Sequence, residues 1–144
     1  MDTIDKIKRS SLMASIPSAH TVPEMILRKE LFIRGYRYRL HHKHLPGKPD
    51  IILSKYQAVI FVNGCFWHWH GCSRSRMPSS NINYWKQKID RNRARDKTNY
   101  QSLLNSKWRV LIVWECALKP ALLMATVNKV EHWLNSNRRF WCIG

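Results

Sequence analysis

The segment Val62-Asn63-Gly64-Cys65-Phe66-Trp67-His68-Trp69-His70-Gly71-Cys72 constrains this chain more than any other. It sets two cysteines, two histidines and three aromatic rings directly behind the apolar run Ala58 to Val62. A stretch with so little aliphatic content cannot fix its own shape, so something other than a hydrophobic core must hold it. Thiolates and imidazoles at this spacing suit a soft metal ion, and rings beside a basic surface suit stacking on bases. The segment reads as a metal-stapled platform that meets nucleic acid.

Charge points to the same partner. Lys and Arg number 25 against 9 Asp and Glu, giving a formal charge of +16 and a pI of about 10.3. Such an excess neutralises phosphates and releases their counterions. A membrane-surface binder would carry a basic amphipathic helix instead, and none stands out. At 144 residues and 44% hydrophobic, the chain fits one domain that buries a core without disulfides. No apolar run approaches a membrane span, and Met1 to Lys6 lacks an apolar signal core, so the expected location is cytoplasmic. There, four cysteines point to metal rather than disulfides.

Thr21-Val22-Pro23-Glu24 opens a helix, with Thr as cap, Pro near the start and Glu at the capping-box position. Met25, Leu27, Leu31 and Phe32 give it an apolar side, and Gly35 ends it. Tyr36 to Leu40 alternates as a strand, and the two prolines and glycine between His41 and Pro49 predict a loop. Asp50 to Leu53 and Ala58 to Val62 read as strands joined by a tight turn over Ser54 to Gln57. A long helix is expected from Tyr84 to Asn105, capped by Asn83, with Arg91, Arg93, Arg95 and Lys97 on exposed faces. Arg109 to Trp114 is continuously apolar in its interior, as in a central strand covered on both sides, and Ala121 to Leu134 is a closing helix. The order is that of a layered α/β fold, with residues 1–18 as a basic arm and 19–144 as one domain.

Cys65, His70 and Cys72 follow one predicted strand and Cys116 follows another. If those strands are neighbours, the four make a closed Cys₃His set, which in zinc proteins is structural. The alternative is that the cysteines are small buried residues and His70 a surface histidine, and spacing alone does not choose between them. Cys142 has no evident partner and reads as a free thiol.

Among the carboxylates, Asp50 stands out because it follows Gly47-Lys48-Pro49 and starts an apolar strand. A strand-end carboxylate suits Mg²⁺ beside a phosphate, although Asp after Pro more often makes a turn hydrogen bond. Glu24 either caps its helix or reaches the same metal. His68 is the candidate general base, since an imidazole changes charge near neutral pH; a phosphate or ring contact is its other reading. Asp96 and Asp90 lie among arginines on a helix, and Glu115 has no evident chemical context.

Four blocks of this sequence, in this order, resemble the very-short-patch repair (Vsr) DNA mismatch endonuclease family over most of the chain. They are Arg9-Ser10-Ser11-Leu12-Met13, Leu45-Pro46-Gly47-Lys48-Pro49-Asp50, Cys65-Phe66-Trp67-His68 and Trp108 to Leu118 with its Trp114-Glu115-Cys116 centre. The resemblance implies a restriction-endonuclease-like three-layer α/β fold with a central mixed sheet and a structural zinc site. It implies a Mg²⁺-dependent single-strand nick next to a T:G mismatch in double-stranded DNA. Asp50 and the Val62 carbonyl would ligate Mg²⁺, Glu24 would support the surrounding waters, and His68 would activate the attacking one. Cys65, His70, Cys72 and Cys116 would hold zinc. Phe66, Trp67 and Trp85 would wedge beside the mismatch, with Met13 entering from the opposite groove. Asn63 stands where the family often carries histidine, and an amide can orient water but cannot exchange a proton near neutral pH. Two other functions compete: a restriction-like or defence nuclease indifferent to mismatches, and a non-catalytic zinc module that binds DNA. A monomer is expected, with mismatch-repair proteins as candidate recruiting partners.

Overall fold

The computed structural model describes residues 21–40 and 44–144; the expected arm, and Met13 within it, lie outside them. The elements are α1 (Val22–Ile33), β1 (Arg39–Leu40), β2 (Ile51–Leu53), β3 (Ala58–Asn63), α2 (Ile82–Asn105), β4 (Arg109–Trp114), α3 (Leu123–Leu134) and β5 (Phe140–Ile143). The strands form a five-stranded mixed sheet in the order β1-β2-β3-β4-β5. The first three run antiparallel to one another, and β3, β4 and β5 run parallel.

Alternation along the strands assigns the two faces. Ile51, Leu53, Ala58, Ile60, Leu111 and Val113 pack with Leu27 and Leu31 of α1 and with Val127, Val130 and Trp133 of α3. Ile52, Val59, Phe61, Val110 and Ile112 face Leu103 of α2. The result is three layers, helix–sheet–helix, with β4 covered on both faces, as its unbroken apolar interior predicts. Burying each such aliphatic side chain stabilises the fold by roughly 1.5–3 kcal/mol. Among the described residues no helix is long and apolar enough to cross a membrane.

Several elements differ from expectation for identifiable reasons. Thr21 is the N-cap of α1, but among the described residues its side chain makes no capping bond, and Glu24 is 1% exposed rather than curled back onto the helix end. Met25 and Phe32 point outward, so the buried stripe of α1 is Glu24, Leu27 and Leu31. Gly35 ends the helix as expected: at φ +94° it lets the Tyr36 amide donate to Leu31 O at 3.0 Å. Tyr36 then turns inward, its hydroxyl donating to Glu131 at 3.0 Å, which leaves only two residues for β1. The cap of α2 is Asn81 in the left-handed region at φ 55°, two residues before the one expected. The short strand β5 has no counterpart in the sequence reading.

Arg109 locks the rear of the sheet. Its guanidinium donates to the main-chain carbonyls of Tyr56, Trp133, Leu134, Ser136 and Arg138 and lies 4.3 Å over the Trp133 ring. One side chain thus ties β4 to the end of α3 and to the turn that delivers β5.

Candidate active site and metal centre

Asp50 enters β2 directly behind buried Pro49, and its backbone amide donates to Ile60 O. The Val62 amide donates to Asp50 Oδ2 at 2.6 Å, and the Asp50 carboxyl also hydrogen-bonds Glu24 of α1. Arg28, one turn along, meets Glu24 at 3.1 Å. Burial, opposed by the Val62 amide and reinforced by the charge of Glu24, pushes the Asp50 carboxyl up to about 7. The predicted partners Asp50 and Glu24, 26 positions apart, are therefore brought together.

The inner stripe of α2 supplies what sequence reasoning missed. Trp85, Ile89, Asn92, Asp96, Tyr100 and Leu103 recur at three- and four-residue steps and so share one face. Asn92 Nδ2 donates to Trp67 O at 3.1 Å, His68 Nδ1 meets Asp96 Oδ2 at 2.5 Å, and Asn63 Nδ2 donates to the Tyr100 hydroxyl at 2.8 Å. Asp96 is thus the partner of His68, not one more surface charge. The signal was available: polar Asn92, Asp96 and Tyr100 occupy stripe positions where a purely structural helix would place aliphatics. Asn63 is 3% exposed at the end of β3.

Cys65, His70, Cys72 and Cys116 have ligand atoms all within 4.8 Å of one another. His70 Nδ1 lies 3.4 Å from Cys116 Sγ and 3.7 Å from Cys65 Sγ. A tetrahedral site with bonds of ~2.0–2.3 Å has edges of about 3.5–3.8 Å, so the spacing fits a zinc-sized ion. Parallel pairing places Asn63 opposite Trp114, and therefore delivers Cys65 and Cys116 side by side just past the strand ends. The His70 ring stacks on Trp114 at 4.4 Å and 10°, which fixes its plane. Glu115 accepts the Cys65 amide at 2.9 Å, which gives that carboxylate the context the sequence did not show. Burial pushes the Cys65 thiol up to about 12. Cys72 also feels desolvation, but hydrogen bonds from the Arg74 amide, His70, Cys65 and Cys116 bring it down to about 6. Cys142 is exposed on β5 and unpaired by disulfide.

The rings beyond the cluster pack edge to face. Phe66 meets Trp67 at 5.3 Å and Trp85 at 5.8 Å, and Trp67 meets Trp85 at 6.0 Å. Lys88 lies 5.4 Å over Trp67. Trp85 is 5% exposed and packs against both Phe66 and Trp67.

The profile of the family described as DNA mismatch endonuclease Vsr matches residues 1–74. The chain is 38% identical over 136 residues to the DNA mismatch endonuclease Vsr of Escherichia coli, covering 92% of this chain and 87% of that protein. It belongs to the Vsr family. It is also 46% identical over 130 residues to the type II nicking enzyme V.NmeAIP of Neisseria meningitidis, covering 90% and 93% of the two chains. The type II nicking enzyme V.XorIIP of Xanthomonas oryzae is 45% identical over 117 residues, covering 81% and 86%. Vsr membership makes the chain an endonuclease of a family that acts on DNA, and the three-layer mixed sheet is the restriction-endonuclease-like architecture that the resemblance implied. The matched Vsr segment spans Glu24, Asp50, Asn63, His68 and three of the four cluster residues; Asp96 and Cys116 lie beyond it.

Proposed function

We propose that the chain nicks one strand of double-stranded DNA beside a T:G mismatch in a Mg²⁺-dependent reaction, as in very short patch repair. The observation that carries this reading is the convergence of two pairs, Asp50–Glu24 and His68–Asp96, at the end of β3. The fit to Mg²⁺ rests on the Asp50–Glu24 pair: its crowding of acidic oxygens is relieved by a hard cation. Asp50 and the Val62 carbonyl would hold the ion, with Glu24 beside them. When bound, it neutralises charge developing on the scissile phosphate. Asp96 keeps His68 Nδ1 as a hydrogen-bond donor, which leaves Nε2 as the acceptor for the proton of the attacking water. The carboxylate also steadies the imidazolium that forms. Asn63 is a supporting amide here, not a second base.

Zinc on Cys65, His70, Cys72 and Cys116 would hold the aromatic loop rigid, an outright structural role. Phe66 and Trp67 would enter the base stack with Trp85 behind them, and Met13 of the 1–18 arm would approach from the other groove. Opening a step costs a few kcal/mol, least at a mismatch, so deformability supplies part of the selectivity. One asymmetric nick needs one site, so residues 19–144 would act as a cytoplasmic monomer, with mismatch-repair proteins as recruiting partners.

The test is Asp96→Asn under single-turnover conditions with Mg²⁺. Nicking of a T:G duplex should fall by about 10²–10⁴-fold with duplex affinity nearly unchanged. Undiminished nicking would remove His68–Asp96 from the chemistry.

A further inference from the structure

A cavity of about 510 Å³ opens between α2 and the end of the sheet, and its lining includes Asn63, His68, Asp96, Tyr100, Arg93 and Lys97. Tyr100 sits one turn after Asp96 on the inner stripe, its ring edge-on to Phe61 at 5.0 Å. Its hydroxyl oxygen accepts from Asn63 Nδ2 at 2.8 Å. Among the described residues the hydroxyl proton has no acceptor. A phenol whose oxygen is fixed by a buried amide, and whose proton is left over, is a donor waiting for an acceptor. Asp96 is not that acceptor, because its carboxylate is engaged by His68. Arg93 and Lys97, exposed at the cavity rim, make its potential positive, so the missing acceptor is an anion.

We propose that Tyr100 is a further catalytic residue, whose hydroxyl donates to a non-bridging oxygen of the scissile phosphate. The assignment rests on the nuclease reading above and deepens it. His68 lines the same cavity, so a phosphate within reach of the base is within the chamber that Tyr100 faces. Burial, and then the Asp96 carboxylate, push the Tyr100 hydroxyl up, so it remains a donor at any pH the enzyme meets. A fixed donor already aimed at developing charge needs no reorganisation during the reaction. The proposal also gives Asn63 a role that an amide can perform. It does not exchange a proton; it aims one.

The test uses Tyr100→Phe, which keeps the ring and its contact with Phe61, on a T:G duplex carrying oxygen or either phosphorothioate diastereomer at the cut. Y100F should nick the oxygen substrate about 10–100-fold more slowly, with duplex affinity and melting temperature close to wild type. Sulfur is a poor acceptor, so one diastereomer should slow wild type by about ten-fold more than it slows Y100F. A Y100F rate within about two-fold of wild type, or identical sulfur penalties in both proteins, would overturn the assignment while leaving the nuclease reading intact. A wild-type protein that nicks no duplex at all would overturn both.

Discussion

On the proposed reading, Asp50 serves chemistry at the expense of stability. Its folded carboxyl lies at about 7, well above the ordinary value of 3.8. The folded state therefore holds this proton more tightly than the unfolded chain does. The contribution is fully present below pH 4 and is lost as the pH rises through 7. With Mg²⁺ present, Asp50→Asn should abolish nicking; in melts without added divalent ions it should stabilise the protein by about 2 kcal/mol at pH 8, with little gain at pH 4. Asn can still accept the Val62 amide. Melting curves at the two pH values check this, and a variant less stable than wild type at pH 8 would contradict it. Asp50 and His68 were legible as candidates because strand-end carboxylates and loop imidazoles are recognisable by type. Asp96 and Glu115 were not, because their partners, His68 and the Cys65 amide, lie 28 and 50 positions away. Contacts at that separation are set by the fold, although the polar interruptions in the stripe of α2 were a visible trace of them.

At the scale of elements, the loop between β3 and α2 depends on two strand ends and one cluster. Cys72→Ser, or zinc chelation, should weaken binding to mismatched DNA by about 1–3 kcal/mol through loss of the aromatic platform, while far-UV circular dichroism keeps the sheet and helices. Intact mismatch affinity in demonstrably metal-free protein would contradict the stapling role. Arg109 makes a separate prediction for the far end of the sheet. Arg109→Ala leaves five carbonyls, four of them partly buried, short of a charged donor and should destabilise the fold by about 3 kcal/mol in urea titrations. A loss below about 0.5 kcal/mol would show that water replaces it freely. The sequence announces β2, β3 and β4 through their apolar runs, and α1 through Pro23 and Gly35. It conceals β5, where four residues follow charged Arg138-Arg139 and only pairing with β4 extends them. It also misplaces the start of α2, because the cap residue Asn81 lies in the left-handed region and makes no side-chain capping bond.

For the molecule as a whole, topology does what no local motif can. Parallel pairing of β3 with β4 brings Cys116 to the other three ligands, and the antiparallel hairpin of β2 with β3 brings Asp50 to Val62. The long helix then meets Trp67, His68 and Asn63 in turn, through Asn92, Asp96 and Tyr100. The Cys/His cluster, the carboxyl pair and the His68–Asp96 pair are therefore built on one sheet end. On the proposed reading, the positive charge of the chain would supply affinity for any duplex, and the rings and the cost of opening a base step would supply the choice among them. The most direct measurement is nicking of an end-labelled duplex with a single T:G mismatch, beside its fully matched counterpart, with and without Mg²⁺. A nuclease of the proposed kind cuts one strand of the mismatched duplex only, and neither duplex without the ion. Equal cutting of both duplexes, or tight binding with no cut in either, would contradict that reading.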